Sequence, residues 1–135
     1  MIENALAIGS VLKGATTYTI DKQLHQGGFG ITYLAKAQIM VGNISQVATF
    51  TIKEFFMGKI CSRDANGNVQ VAQENQQLFK QAKQDFREEA EILHALKHAN
   101  IVPVNEVFEQ NNTVYYVMAY LGKVSLYQYL SLIHI

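Results

Sequence analysis

Apolar and polar positions change period several times along the chain, and each change marks an element. Residues 17–24 (TYTIDKQL) and 31–37 (ITYLAKA) are dense in β-branched and aromatic side chains, with Gly27, Gly28 and Gly30 between them. That pattern predicts a hairpin with a glycine-rich turn. A third run, residues 47–55 (VATFTIKEF), follows the break at Gly42 and Asn43 and reads as the next strand of an antiparallel meander. Residues 78–97 contain neither Gly nor Pro and place Phe79, Ala82, Phe86, Ala90, Leu93 and Leu96 at three- and four-residue spacings, which predicts an amphipathic helix. Residues 102–108 and 114–120 flank the polar turn Gln110, Asn111 and Asn112 and predict a second hairpin. The expected fold is α+β, a five-stranded antiparallel sheet with one main helix. Between the third strand and the helix, residues 58–77 are polar and rich in turn formers. They read as a surface loop with a small hairpin around residues 66–68.

Composition narrows the function classes. The chain has 135 residues, 49% of them apolar and 16% charged, with eleven basic and eleven acidic side chains in balance. So apolar a chain does not stay disordered, and it has no run of about 18 apolar residues that could cross a bilayer. Without net positive charge or a Lys/Arg block, neither nucleic acid nor an anionic membrane is an expected partner. Residues 1–16 include a mildly apolar stretch preceded by Glu3 and by no Lys or Arg, the wrong polarity for a secretory signal. They are expected to be an ordered lead-in packed on the domain, and the expected location is cytoplasmic. The single Cys61 lies in the polar stretch and is expected to be a solvent-facing free thiol in a reducing compartment.

The candidate chemistry begins at the glycines. They lead into a strand rather than a helix, which disfavours a dinucleotide site of the Rossmann kind, and no G-x-x-x-x-G-K-[ST] pattern is present. Two readings remain open: a tight turn needing positive φ, or a flap whose backbone N–H groups close over phosphates. In the third strand, alternation puts Lys53 on the face of Thr51, opposite Ile52 and Phe50. It is either an exposed lysine on a wet face or a buried one that needs a carboxylate. The helix offers one. At about 100° per residue from Phe86, Phe79, Ala82, Ala90 and Leu93 fall within about 40°, Glu89 about 60° away, and Glu88 and Glu91 about 160° and 140° away. Of the three acids, only Glu89 borders the apolar face.

Four stretches, LHQGGFGITYLA from Leu24, TIKEFF from Thr51, FREEAEILHALKHANIV from Phe86 and VYYVMAYL from Val114, resemble in order and spacing the N-terminal lobe of a protein kinase. GGFGITYLA and KEFF resemble more narrowly the bacterial eukaryotic-like Ser/Thr protein kinases. The resemblance implies an ATP-binding lobe in which Gly27, Gly28, Phe29 and Gly30 form the flap over the phosphates. Lys53 would hold the α- and β-phosphates, oriented by an ion pair with Glu89. It further implies that Leu24, Thr32 and Thr51 line the adenine pocket, that Met118 is the gatekeeper, and that the backbones of Ala119 and Leu121 bind the base. His25, Thr32, Thr51 and Ala119 depart from the usual residues at their positions.

By the same resemblance, residues 17–135 form an incomplete kinase-like domain that ends within the first helix after the hinge. No aspartate follows Asp85, so neither the catalytic-loop base nor the magnesium ligand of the family is in the chain. Magnesium is expected only in the full-length kinase, as is the protein substrate, and the isolated chain is expected to be inactive. Its exposed interlobe surface, residues 121–135, is expected to promote self-association. Two alternatives stay open: a kinase-derived module that binds nucleotide or a partner without catalysis, and an unrelated small α+β binding domain.

Overall fold

The computed structural model describes residues 2–96 and 104–120. Strands β1 (Val11–Lys13), β2 (Thr17–Gln26), β3 (Gly30–Val41) and β4 (Ile44–Phe55) form an antiparallel meander. A small separate hairpin, β5 (Cys61–Arg63) and β6 (Val69–Val71), and a short 3-10 turn then lead to helix α1 (Gln76–Ala95). The chain returns as β7 (Val104–Gln110) and β8 (Thr113–Ala119), turning on Asn111 and Asn112 with φ of 55° and 60°. Because β8 pairs with β4, the main sheet has six strands in the order β1-β2-β3-β4-β8-β7. Five were expected. The sixth, β1, is only three residues long and lies in the stretch read as a lead-in, too short for alternation to announce it.

The sheet curls until its two edges meet, and side chains close the seam. Gln110 of β7 accepts from the Lys13 N–H at 2.7 Å and donates to the Val11 carbonyl at 3.1 Å, acting as one rung of a backbone ladder. Glu106 accepts from the Ala15 N–H at 2.9 Å and from the Tyr18 hydroxyl. Inside the curl lies the main core: Leu12, Tyr18, Ile20, Ile31, Tyr33, Ile52, Tyr115 and Val117, all buried. Leu6 plugs one end of it together with Cys61 and Val69 of the β5–β6 hairpin. Cys61 is therefore 7% exposed rather than solvent-facing, because the hairpin tucks its first strand under the sheet, and burial pushes the thiol pKa up. The polar stretch does form a hairpin, but it packs as part of the core.

Helix α1 covers the convex face. Phe79 and Ala90 are buried along it and Phe86 and Leu93 partly so, as the apolar spacing predicts, but Leu96, past the last helical residue, is 42% exposed, and Glu89 is exposed along with Glu88 and Glu91. Phe86 lies 5.3 Å from the Phe55 ring and 5.5 Å from the Tyr116 ring, fixing the helix over β4 and β8. The predicted end of the helix at Lys97, the start of the following strand at Val102, and residues 121–135 lie outside the described residues. Among the described residues, no helix is long and apolar enough to cross a membrane. Beyond their contacts with β2 and β8, strands β3 and β4 run on as a ribbon turning at Gly42, where Met40, Val41, Ile44 and Val47 are exposed.

Candidate functional site

Strand register assembles the site on the convex face. Lys53 lies directly between Thr32 of β3 and Tyr116 of β8, and Thr32 in turn faces His25 of β2. The next row runs Leu34, Thr51, Met118 and Val104. Directly opposed residues share a face, so Thr32, Thr51, Lys53 and Met118 form one contiguous patch. Thr51 and Met118 are buried, and Lys53 is half-buried. Leu24 is the extra residue of a bulge between Gln23 and His25 and is 47% exposed beside the patch. Ala119, opposite Phe50, is exposed at the end of β8. Leu121 lies outside the described residues. Two neighbours in these rows, Leu34 and Tyr116, are absent from the expected lining, although strand alternation from Thr32 and Met118 points to both.

The glycine turn sits at one end of this patch. The Gly27 N–H donates to the Gly30 carbonyl at 2.8 Å, closing the turn, and the Phe56 N–H donates to the Phe29 carbonyl at 3.0 Å, tying it to the end of β4. None of Gly27, Gly28 and Gly30 has positive φ, so left-handed backbone is not why these positions are glycine. Space is the reason at Gly30. A Cβ there would stand 3.0 Å from the Glu54 carbonyl oxygen and 3.0 Å from Cε of Lys53. The lysine stem thus runs across a glycine floor. Gly28 has nothing around it and Phe29 is exposed, so the tip of the turn projects freely.

Glu89 lies on the same side of the sheet as Lys53. Its neighbour Ala90 packs against Val104, Tyr116 and Met118. Burial first, then the Glu89 charge, push the Tyr116 hydroxyl pKa up to about 12. Lys53 and Glu89 therefore flank the same tyrosine. They are not joined by a salt bridge: among the described residues, the ion pairs are Arg63–Glu54, Lys83–Glu109, Arg87–Glu91 and Arg87–Glu109.

The acid that is fully buried is the next residue along, Glu54, on the concave face. Its Oε1 accepts from the Tyr33 hydroxyl and from Arg63 Nη2, both at 2.7 Å, and its Oε2 from the Tyr115 hydroxyl. Glu54 is not among the expected site residues. The available signal is alternation, which puts a carboxylate on the apolar face of Ile52, where it must find donors.

Burial, followed by the charge of Glu54, raises the pKa of Tyr33 and Tyr115 above the ordinary 10.0. The neutral form is favoured in the folded state, so this contribution is complete below pH 10 and is lost as pH rises above it. Each tyrosine then costs about 1.4 kcal/mol per pH unit. Urea unfolding should give a shallow decline from about pH 9, where the unfolded Cys61 thiol begins to ionise, and a steep fall above pH 10. Stability unchanged at pH 11 would contradict the buried tyrosine cluster.

With the geometry in place, comparison with known proteins adds three findings. A family model described as protein tyrosine and serine/threonine kinase matches residues 18–132. Among solved structures, one titled PpkA-294, apo form, matches with a TM-score of 0.77 at 22% identity, over 96% of this chain and 43% of that one. The chain thus spans less than half of that structure, and the likeness is one of fold. No curated protein matches the chain.

Proposed function

The chain belongs to the protein tyrosine and serine/threonine kinase family, and from that premise we propose that it is the ATP-binding lobe of a cytoplasmic bacterial Ser/Thr protein kinase. The observation that carries the reading is the row Thr32, Lys53, Tyr116, with the Lys53 stem laid across Gly30 beneath a free glycine turn. A cation backed by a turn that presents backbone N–H groups suits a polyphosphate, and a slot of Leu34, Thr51 and Met118 beside it suits a flat base. Thr51 adds a hydroxyl to that slot. In this reading Lys53 holds the α- and β-phosphates, Gly27 to Gly30 close over them, and Glu89, on the same side of the sheet but not paired with the lysine in this structure, is the acid proposed to orient it. Leu24 and Thr32 cover the base, and the Ala119 and Leu121 backbones anchor its edge. ATP supplies the transferred phosphoryl group; this chain's residues bind and orient it. Serine/threonine specificity rests on the GGFGITYLA and KEFF stretches.

Half of a cleft binds weakly, so the dissociation constant of ATP for this chain is expected near 1 mM, about −4 kcal/mol. Titration followed by amide NMR should move Gly28, Thr32, Thr51, Lys53 and Met118 while leaving Tyr33 and Tyr115 in place. Purified alone, with ATP, magnesium and a protein substrate, the chain should transfer no phosphate. Shifts confined to the concave face, or none at saturating nucleotide, would overturn the assignment.

A further inference from the structure

Glu54 is an expensive residue for stability alone. A fully buried carboxylate must be desolvated, and a well-packed apolar side chain could often replace such a group without loss. What distinguishes Glu54 is how many segments meet on it. Arg63 bridges it to the β5–β6 hairpin and also donates Nε to the Asn4 carbonyl and Nη1 to the Gly67 carbonyl, both at 2.8 Å. The guanidinium carbon stands 5.2 Å from the centre of the Phe56 ring. The Tyr33 hydroxyl accepts the Leu6 N–H at 3.0 Å, and that of Tyr115 accepts Asn111 Nδ2 at 2.9 Å. One side chain therefore gathers the N-terminal segment, β3, the inserted hairpin and the β7–β8 turn onto β4.

That point on β4 is one residue from Lys53. Successive side chains leave a strand on opposite faces, so fixing Glu54 on the concave face fixes the direction in which Lys53 leaves on the other. The neighbouring backbone is held as well: the Thr113 hydroxyl donates to the Phe55 carbonyl at 2.5 Å, and the Phe56 N–H holds the glycine turn through Phe29. The hairpin is also the link between β4 and α1, and Gln76 at the helix start donates Nε2 to the Val71 carbonyl at 2.8 Å. We propose that Glu54 is a positioning residue: clamped by Arg63, Tyr33 and Tyr115, it sets the aim of Lys53 and the seat of the glycine turn for the phosphates of a nucleotide. This rests on the nucleotide reading of Lys53.

The test compares ATP with adenosine, which occupies the slot but makes no demand on Lys53, for the wild-type chain and for Glu54→Gln, Arg63→Met and the milder Tyr33→Phe. Affinity for ATP should fall about tenfold in the first two and adenosine affinity should hold. Arg63→Lys should recover part of the ATP binding. A purely structural Glu54 would lower melting temperature and either leave both affinities alone or reduce them in parallel; either result overturns the proposal. Should Glu54→Gln fail to fold, Tyr33→Phe decides by the same ratio. A wild-type chain that binds adenosine and ATP equally well would instead sink the phosphate role of Lys53 itself.

Discussion

On the nucleotide reading proposed above, Lys53→Met in a kinase that carries this lobe is expected to reduce phosphate transfer by at least about 10³-fold while leaving the protein folded. The substitution keeps the unbranched stem that runs across Gly30 and removes only the charge at its end. Among the side chains of its two rows, Lys53 lies between Thr32 and Tyr116, neither of which carries charge at neutral pH, so nothing beside it replaces the lost cation. Met is of similar volume, and Lys53 is only half-buried and outside any salt bridge among the described residues, so thermal stability should move little. An assay of the purified variant, scored beside its melting curve, separates the two effects. Retention of a tenth or more of wild-type transfer would show that the convex row is not where the phosphates sit.

The second large effect is expected in stability, far from that row. A Cβ at Gly14 would come within 2.7 Å of Cδ of Glu106. The carboxylate could swing aside, but it would then give up the Ala15 N–H and the Tyr18 hydroxyl, the latter facing a core with few other acceptors. Water replaces the exposed Ala15 bond at little cost, whereas losing the half-buried Tyr18 bond to a charged acceptor costs roughly 1.5–3 kcal/mol. Gly14→Val should therefore lower the melting temperature by about 10 °C. A Gly14→Val, Glu106→Ala double variant should cost much less than the sum of the two single changes, since both remove the same bonds. Full additivity would place the damage elsewhere.

Much of this architecture is legible from local pattern. Alternation places Lys53 and Thr51 together, and helical phase puts Phe79 and Ala90 on the buried face, whereas Glu89, set by the same phase at its border, is exposed like Glu88 and Glu91. Both signals work because they are short-range: the period of a strand or helix is written within a few residues. What was not legible depends on partners far apart. Glu54 looks like an ordinary acid beside Lys53, and only Arg63 and Tyr115, nine and 61 residues away, make it a buried hub. Cys61 sits among polar residues whose neighbours in space, not in sequence, bury it. The glycine turn misled for a different reason: composition announces a special backbone, whereas the restriction at Gly30 is the room taken by Lys53 and the Glu54 carbonyl. In the β3–β4 ribbon the error runs the other way, since Met40, Val41, Ile44 and Val47 supply strand propensity yet remain exposed.

The side-chain seam between β1 and β7 has a consequence for how the chain comes together. Its hydrogen bonds join residues 91 to 99 positions apart, so the ends of a loop of more than 90 residues must be brought together before any of them forms. Such contacts slow folding, and they are added to a meander and a helix that are mostly local. Strand β1 can pair with its neighbour β2 early, since Val11 lies only eight residues from Thr19, so the seam to β7 is the last contact to close and the first to open. A ribosome releasing this chain would hold an almost finished lobe whose seam stays open until residue 110 has emerged.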